Sequence, residues 1–352
     1  MFDKGDFRVR WDHLQLVQDG NRPDPPLIER QAVVRTMDTP EFRGITFYEI
    51  HAKSIINKVP GASRVPFSWT INPYRGCSHS CLYCFARKTH EYLDFNSGSD
   101  FDSKIVVKVN AAELVRKELA APRWDGHHIA MGTNVDCYQR AEGRYRLMPG
   151  ILTALRDAGN PFSILTKGSL ILRDLPLLQE AAERTEVGTA VSVGFIDKDL
   201  WRLVEPGTPS PHKRLEVCAT LNEQGVPCGV LMGPVLPYLT DSPRQIDAAV
   251  RQIAEAGATS VSAITLHLRP GAREWFMSWL REQRPELVEP YERLYGRGAY
   301  APKAYQERIT RQVQEAAEKY GVGRGQTARN AHRRIPPAPP APPPAGEQLS
   351  LL

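Results

Sequence analysis

The chain has 352 residues, 45 Lys and Arg against 40 Asp and Glu, 41% hydrophobic residues and six cysteines. That length suits one large domain or two ordinary ones, and the near-average composition excludes a wholly disordered or fibrous chain. No apolar run reaches the roughly 18 residues of a membrane helix, the first residues lack the apolar segment of a secretory signal, and six cysteines form no disulfide framework, so the cytoplasm is the expected compartment.

In chain order, residues 1–65 are polar, contain Pro23, Pro25 and Pro26, and read as an irregular N-terminal extension. From 66 to 285 strand-like and helix-like segments alternate. Strand 67–73 precedes helix 111–119, strand 128–132 precedes helix 149–158, and strand 162–166 precedes helix 175–184. Strand 187–195 precedes helix 211–224, strand 227–235 precedes helix 242–256, and strand 260–267 closes the series. Gly159-Asn160-Pro161, Gly225-Val226-Pro227 and Gly257-Ala258 read as helix stops followed by strand starts. The pattern predicts an α/β fold whose parallel sheet curls into part of a barrel, with chemistry in the loops after the strand C-termini.

The charge is uneven along the chain. Residues 269–334 hold 14 Lys and Arg against 8 Asp and Glu, so the whole positive surplus lies there. A basic helical extension over 286–334 follows, which reads either as a nucleic-acid footprint or as a solvated amphipathic helix. Seven of the 29 prolines fall between Pro336 and Pro344. Such a run favours an extended polyproline II rod and cannot pack into a core, so 335–347 is a linker ahead of 348–352.

The strongest local signal follows the first strand: Arg75-Gly76-Cys77-Ser78-His79-Ser80-Cys81-Leu82-Tyr83-Cys84. Three thiols spaced three and then two residues apart can wrap one soft metal centre, since thiolates select zinc or iron–sulfur clusters. A structural zinc site or a ferredoxin-type cluster wants four ligands, which His79 or His90 would complete for zinc. Three cysteines on a cubane leave one iron open. Of the other cysteines, Cys218 on a helix and Cys228 in a strand read as small buried hydrophobes. Cys137, at a strand end beside Asp136, is a candidate hydrogen-atom donor.

The Cys-x3-Cys-x2-Cys pattern, with aromatic Tyr83 before the third cysteine, resembles the radical S-adenosylmethionine superfamily. Asn72-Pro73-Tyr74-Arg75-Gly76-Cys77, Gly132-Thr133-Asn134-Val135-Asp136, Leu165-Thr166-Lys167 and Glu205-Pro206-Gly207-Thr208 are similar to its spore photoproduct lyase-like, "DNA repair photolyase" branch. The resemblance covers about residues 65–285 and implies a partial (β/α)6 TIM-type barrel. It implies a 4Fe–4S cluster on Cys77, Cys81 and Cys84, with S-adenosylmethionine on the open iron. One-electron reduction, from a donor such as a flavodoxin or ferredoxin, would then release a 5′-deoxyadenosyl radical. For the nucleoside, it implies Tyr83 against adenine, Thr133 and Asp136 near the methionine amine, Lys167 on the carboxylate and Ser192 facing ribose. Glu205 and Arg214 contact cofactor or substrate, or pair with each other. The branch's hydrogen-donating cysteine lies immediately before the threonine of the strand-end motif, where this chain has Gly132.

The terminal Gln348-Leu349-Ser350-Leu351-Leu352 resembles the short peptides by which bacterial DNA polymerases and repair proteins dock on the replication sliding clamp. Leu349, Leu351 and Leu352 would fill apolar pockets while Gln348 fixes register. Together these readings lead to a lyase-like DNA repair enzyme acting on a damaged base. Competing readings are a radical enzyme for RNA, a peptide or a small metabolite, and a zinc-stabilised nucleic-acid-binding module without catalysis.

Overall fold

The computed structural model describes residues 32–37, 39–61 and 65–322. The first part of the N-terminal extension, the end of the basic extension, the proline-rich linker and the terminal peptide lie outside the described residues. The strands are β1 Val33–Thr36, β2 Thr46–Ile50, β3 Ile56–Lys58, β4 Trp69–Ile71, β5 Tyr74–Arg75, β6 Lys104–Lys108, β7 Ile129–Met131, β8 Phe162–Thr166, β9 Val187–Ser192, β10 Cys228–Val235 and β11 Val261–Thr265. The helices are α1 Ser99–Ser103, α2 Ala111–Leu119, α3 Arg140–Tyr145, α4 Leu147–Asp157, α5 Leu175–Ala182 and α6 Lys198–Val204. They continue as α7 Pro211–Glu223, α8 Pro243–Glu255, α9 Ala272–Gln283, α10 Val288–Tyr295 and α11 Lys303–Tyr320.

Six strands, β4, β7, β8, β9, β10 and β11, pair in parallel in that order. Parallel neighbours need long crossovers, and each crossover here carries at least one helix. β3 adds antiparallel to the outer edge of β4. The expected partial barrel is therefore present, with all six strand C-termini at one mouth. Local chemistry sets the helix starts: Ser242 and Gln245 form a capping box at α8 with Pro243 at the first position, and Ser210 caps α7 ahead of Pro211.

The strand expected over 67–73 is β4, and a second short strand, β5, follows it at once in a different sheet. Pro73 lacks the N–H needed to continue a ladder, and the chain crosses from β4 to β5 there. β5 pairs antiparallel with β6, β6 pairs in parallel with β2, and β2 pairs antiparallel with β1. Part of the extension expected to be irregular thus belongs to a second, four-stranded sheet. Phe47 and Tyr48 are buried in it.

Two apolar clusters fill the interior. The larger lies between the barrel sheet and its helices. The second joins Trp275, Phe276 and Trp279 of α9 and Tyr291 of α10 to Cys81, Leu82 and Tyr83. α11 buries Ile309, Val313 and Ala316 and packs against α8 and β11. Its Arg308 reaches Asp241 at 3.1 Å and its Lys319 reaches Asp247 at 2.7 Å. The described part of the basic extension thus holds α10 and the amphipathic α11, which docks on the barrel with Arg308 and Lys319 paired to it. Among the described residues no helix is long and apolar enough to cross a membrane.

Candidate cofactor and active site

The cysteine loop leaves β5 and is gripped by backbone and side-chain groups of Phe101, Gln139, Val204 and Gly207. Cys77 N–H donates to Phe101 O at 2.9 Å, and Ser78 N–H donates to Gln139 Oε1 at 2.9 Å. Gln139 in turn donates to Gly76 O at 2.9 Å. Leu82 N–H donates to Val204 O at 3.0 Å, and Gly207 N–H donates to His79 O at 3.1 Å. Gly207 has no room for a side chain, since a Cβ there would lie 2.2 Å from Ser78 O. This close approach explains the glycine of the Glu-Pro-Gly-Thr segment.

Arg87, three residues after the third cysteine, is fully buried and was not singled out by sequence reasoning. Its guanidinium donates to Cys81 O at 2.9 Å, to Gly98 O at 2.8 Å and to both oxygens of Asp102 at 2.9 and 3.0 Å. The rings of Phe101 and Trp275 lie 5.2 and 5.0 Å from it. Burial pushes the Asp102 carboxyl up to about 6, with the Arg87 contacts pulling the other way. The pair ties the middle cysteine to α1 and α9.

Burial pushes the Cys77, Cys81 and Cys84 thiols up from the ordinary cysteine value. Binding iron as thiolates would therefore release protons. Cys77 and Cys81 are buried and Cys84 is half-buried. Among the described residues, no three His, Cys, Asp or Glu side chains converge as a single-ion site. A cubane instead distributes its cysteines over separate irons.

Five of the residues implied for the nucleoside meet above this loop. Tyr83 Oη donates to Glu205 Oε1, and Arg214 donates to Glu205 Oε2 and, at 2.6 Å, to Ser192 O. Lys167 Nζ donates to Ser192 Oγ at 2.8 Å and lies 4.0 Å from Glu205 and 5.8 Å from the Tyr83 ring centre. Burial pushes the Glu205 carboxyl up, but Arg214 and Lys167 together hold it below the usual carboxylate value. Burial, reinforced by Glu205, keeps Tyr83 a phenol. Arg214 and Glu205 do pair with each other, one of the two roles left open for them.

Asp136 reaches the same mouth as a brace. Its carboxylate accepts from Thr166 Oγ1 at 2.6 Å, Lys167 N at 2.7 Å and Tyr138 N at 2.8 Å, and faces His79 Nδ1 at 3.4 Å. Burial pushes this carboxyl up, yet His79 and the hydrogen bonds bring it down to about 2. Thr133 is half-buried in the loop after β7. Gly132 has φ of 73°, and a Cβ there would lie 1.8 Å from Leu165 O, so a cysteine cannot stand at this position without moving β8. Cys137 does not join the mouth group: its side chain is fully enclosed in the main core, and burial pushes its thiol far up. Cys218 and Cys228 are fully buried, as expected of core residues.

Three buried polar atoms here lack a partner: Asn72 Oδ1 at the end of β4, Ser78 Oγ in the cysteine loop, and Arg214 Nε. Buried polar groups are normally satisfied, so a group bound at the mouth fits this pattern. Three thiols, a lysine cation and orphaned polar atoms on one rim suit a cluster with an amino-acid nucleoside.

The radical SAM superfamily model matches residues 71–263. The chain is 49% identical over 332 residues to an uncharacterized protein of Mycobacterium tuberculosis strain H37Rv, covering 94% of this chain and 96% of that one. It is 32% identical over 199 residues to an uncharacterized protein of Methanocaldococcus jannaschii, covering 56% of this chain and 70% of that one. Among solved structures, a spore photoproduct lyase complexed with dinucleoside spore photoproduct superposes with a TM-score of 0.58 at 16% identity, covering 79% of this chain and 80% of that one. That likeness is one of fold. The matched segment runs from the end of β4 through the cysteine loop, the mouth residues and β7 to β10 into β11, and the chain belongs to the radical SAM superfamily, which uses a 4Fe–4S cluster and S-adenosylmethionine.

Proposed function

We propose that this radical SAM enzyme acts on DNA, at a damaged base presented to the barrel mouth. The observation that carries the enzyme part of the reading is the meeting of Tyr83 of the cysteine loop with Lys167, Ser192, Glu205 and Arg214. When bound, a 4Fe–4S cluster and S-adenosylmethionine would supply a 5′-deoxyadenosyl radical, the electron coming from an external donor such as a flavodoxin or ferredoxin. Cys77, Cys81 and Cys84 are its ligands, and Arg87 holds the carbonyl of the middle one. Lys167 presents a cation to the cofactor carboxylate, Tyr83 a ring to adenine, and Ser192 a hydroxyl to ribose. Thr133 and Asp136 close the amine side, with Asp136 also fixing the Lys167 backbone. Glu205 and Arg214 orient Tyr83 and Ser192 from behind.

DNA as substrate is supported by the basic surplus over 269–334, by the terminal Gln348–Leu352 peptide outside the described residues, and by the fold shared with a lyase solved with a dinucleoside lesion. A damaged base would have to leave the stack to reach the mouth. Gly132 and the enclosed Cys137 leave this chain without the branch's thiol donor at the mouth, so its reaction differs from spore photoproduct repair in the donor. Anaerobic incubation with damaged and undamaged DNA, tracing deuterium from labelled S-adenosylmethionine, tests the reading. Label in a DNA base is expected. Equal 5′-deoxyadenosine release with and without damaged DNA, and no label in it, would refute it. Recruitment is tested separately: removal of residues 348–352 is expected to weaken sliding-clamp binding, and equal affinity would remove that part.

A further inference from the structure

We propose that a cleft outside the cysteine loop is a track for an unpaired stretch of DNA strand leading into the mouth, an assignment that rests on the DNA reading above. The cleft encloses about 240 Å3, and Phe85, Lys88, Tyr92, Asn134 and Arg269 are among the residues that line it. Phe85 immediately follows Cys84, and Asn134 lies in the loop after β7, so one wall of the cleft is the rim of the mouth itself.

The surface carries aromatic faces and cations in alternation. Tyr92 is 81% exposed, Phe85 43% and Tyr300 42%, unusual for large rings so near one another. The Arg269 guanidinium lies 5.5 Å from the Phe85 ring centre and donates to Tyr300 Oη at 3.1 Å, joining those two faces, while Tyr92 lines the same cleft. No acidic side chain lines the cleft. Lys88 and Arg269 have no carboxylate partner among the described residues, unlike Arg308 and Lys319 on α11, which face Asp241 and Asp247. Cations beside exposed rings are the elements with which proteins hold single strands: phosphates on the charges, bases stacked on the rings. The occupant is a polyanion with flat faces, which a strand is and an acidic peptide is not.

Phosphate and stacking contacts leave different marks. With the cluster-loaded full chain, binding of a fluorescent single-stranded oligodeoxynucleotide is measured across a salt series. Tyr92→Ala is expected to weaken binding about tenfold with little change in salt slope. The Lys88→Ala/Arg269→Ala double variant is expected to lower the slope by about 1.4, or about 0.7 for each phosphate contact. Lys117→Ala, at an exposed position of α2, serves as a charge control with neither change. Cluster absorbance and melting midpoint report whether each variant is folded. Wild-type affinity and slope in both cleft variants would overturn the track while leaving DNA as the substrate. No oligonucleotide binding by the wild-type chain would overturn the DNA reading and the track with it. Equal competition by a polyglutamate of matched charge would overturn the stacking assignment.

Discussion

Two buried arginines near the cysteine loop solve the same electrostatic problem in different ways. Arg87 and Arg214 are each at most 1% exposed, and each faces a buried carboxylate. Every guanidinium nitrogen of Arg87 has an acceptor, from Cys81 O, Ser97 O, Gly98 O or Asp102. Arg214 is incomplete: two nitrogens reach Ser192 O and Glu205, and Nε has no partner. A saturated charge fixes one geometry, whereas an unsatisfied one in a mouth keeps capacity for a ligand. The contrast separates scaffold from site around one cysteine loop.

The largest expected effect lies on the scaffold side. Arg87→Met leaves Asp102 buried and unpaired and should cost about 3–5 kcal/mol in chemical unfolding. Arg87→Met with Asp102→Leu should recover much of that. A loss no larger than the roughly 1 kcal/mol of an exposed pair would break the comparison.

His90 gives the next test. Its ring is buried against Lys104 O at 2.8 Å, and burial pushes its pKa down to about 4. The unfolded chain takes up this proton near pH 6.5, so stability from the neutral ring is present above that value and lost as pH falls toward 4. Wild type should lose about 2–3 kcal/mol relative to His90→Gln by about pH 4.5. Parallel pH profiles would mean that the ring takes up its proton as readily in the folded chain as in the unfolded one.

Gly132→Ala should cost about 2 kcal/mol or more, because φ of 73° and contact with Leu165 O both oppose a side chain. On the site side the stability change is smallest. Arg214→Lys keeps the charge but loses the fork, with about 1 kcal/mol lost from folding. S-adenosylmethionine affinity, measured by calorimetry on the anaerobic holoprotein, should fall roughly tenfold. Unchanged affinity would place Arg214 with the scaffold.

How much of this was legible in the chain depends on how local each feature is. Periodicity located all six barrel strands and five flanking helices, because alternating burial and Gly or Pro stops act over a few residues. The cysteine spacing was equally local. β5 and β6 were not legible, nor was the role of β2, because the second sheet joins segments some sixty residues apart and a two-residue strand has no periodicity.

By itself, then, the sequence determined the superfamily, the order of the barrel strands and their helices, and the three thiols, all written in short-range spacing. Only the tertiary structure decided which ionisable groups share a site. Arg87 reads like any polar residue until α1 and α9 close around it, and Cys137 reads like a donor until the main core buries it. Glu205 and Arg214 were named together but became a pair only when α6 and α7 returned them to the mouth. Burial and electrostatic coupling depend on distances through space, and these appear only when the barrel brings its strand ends together.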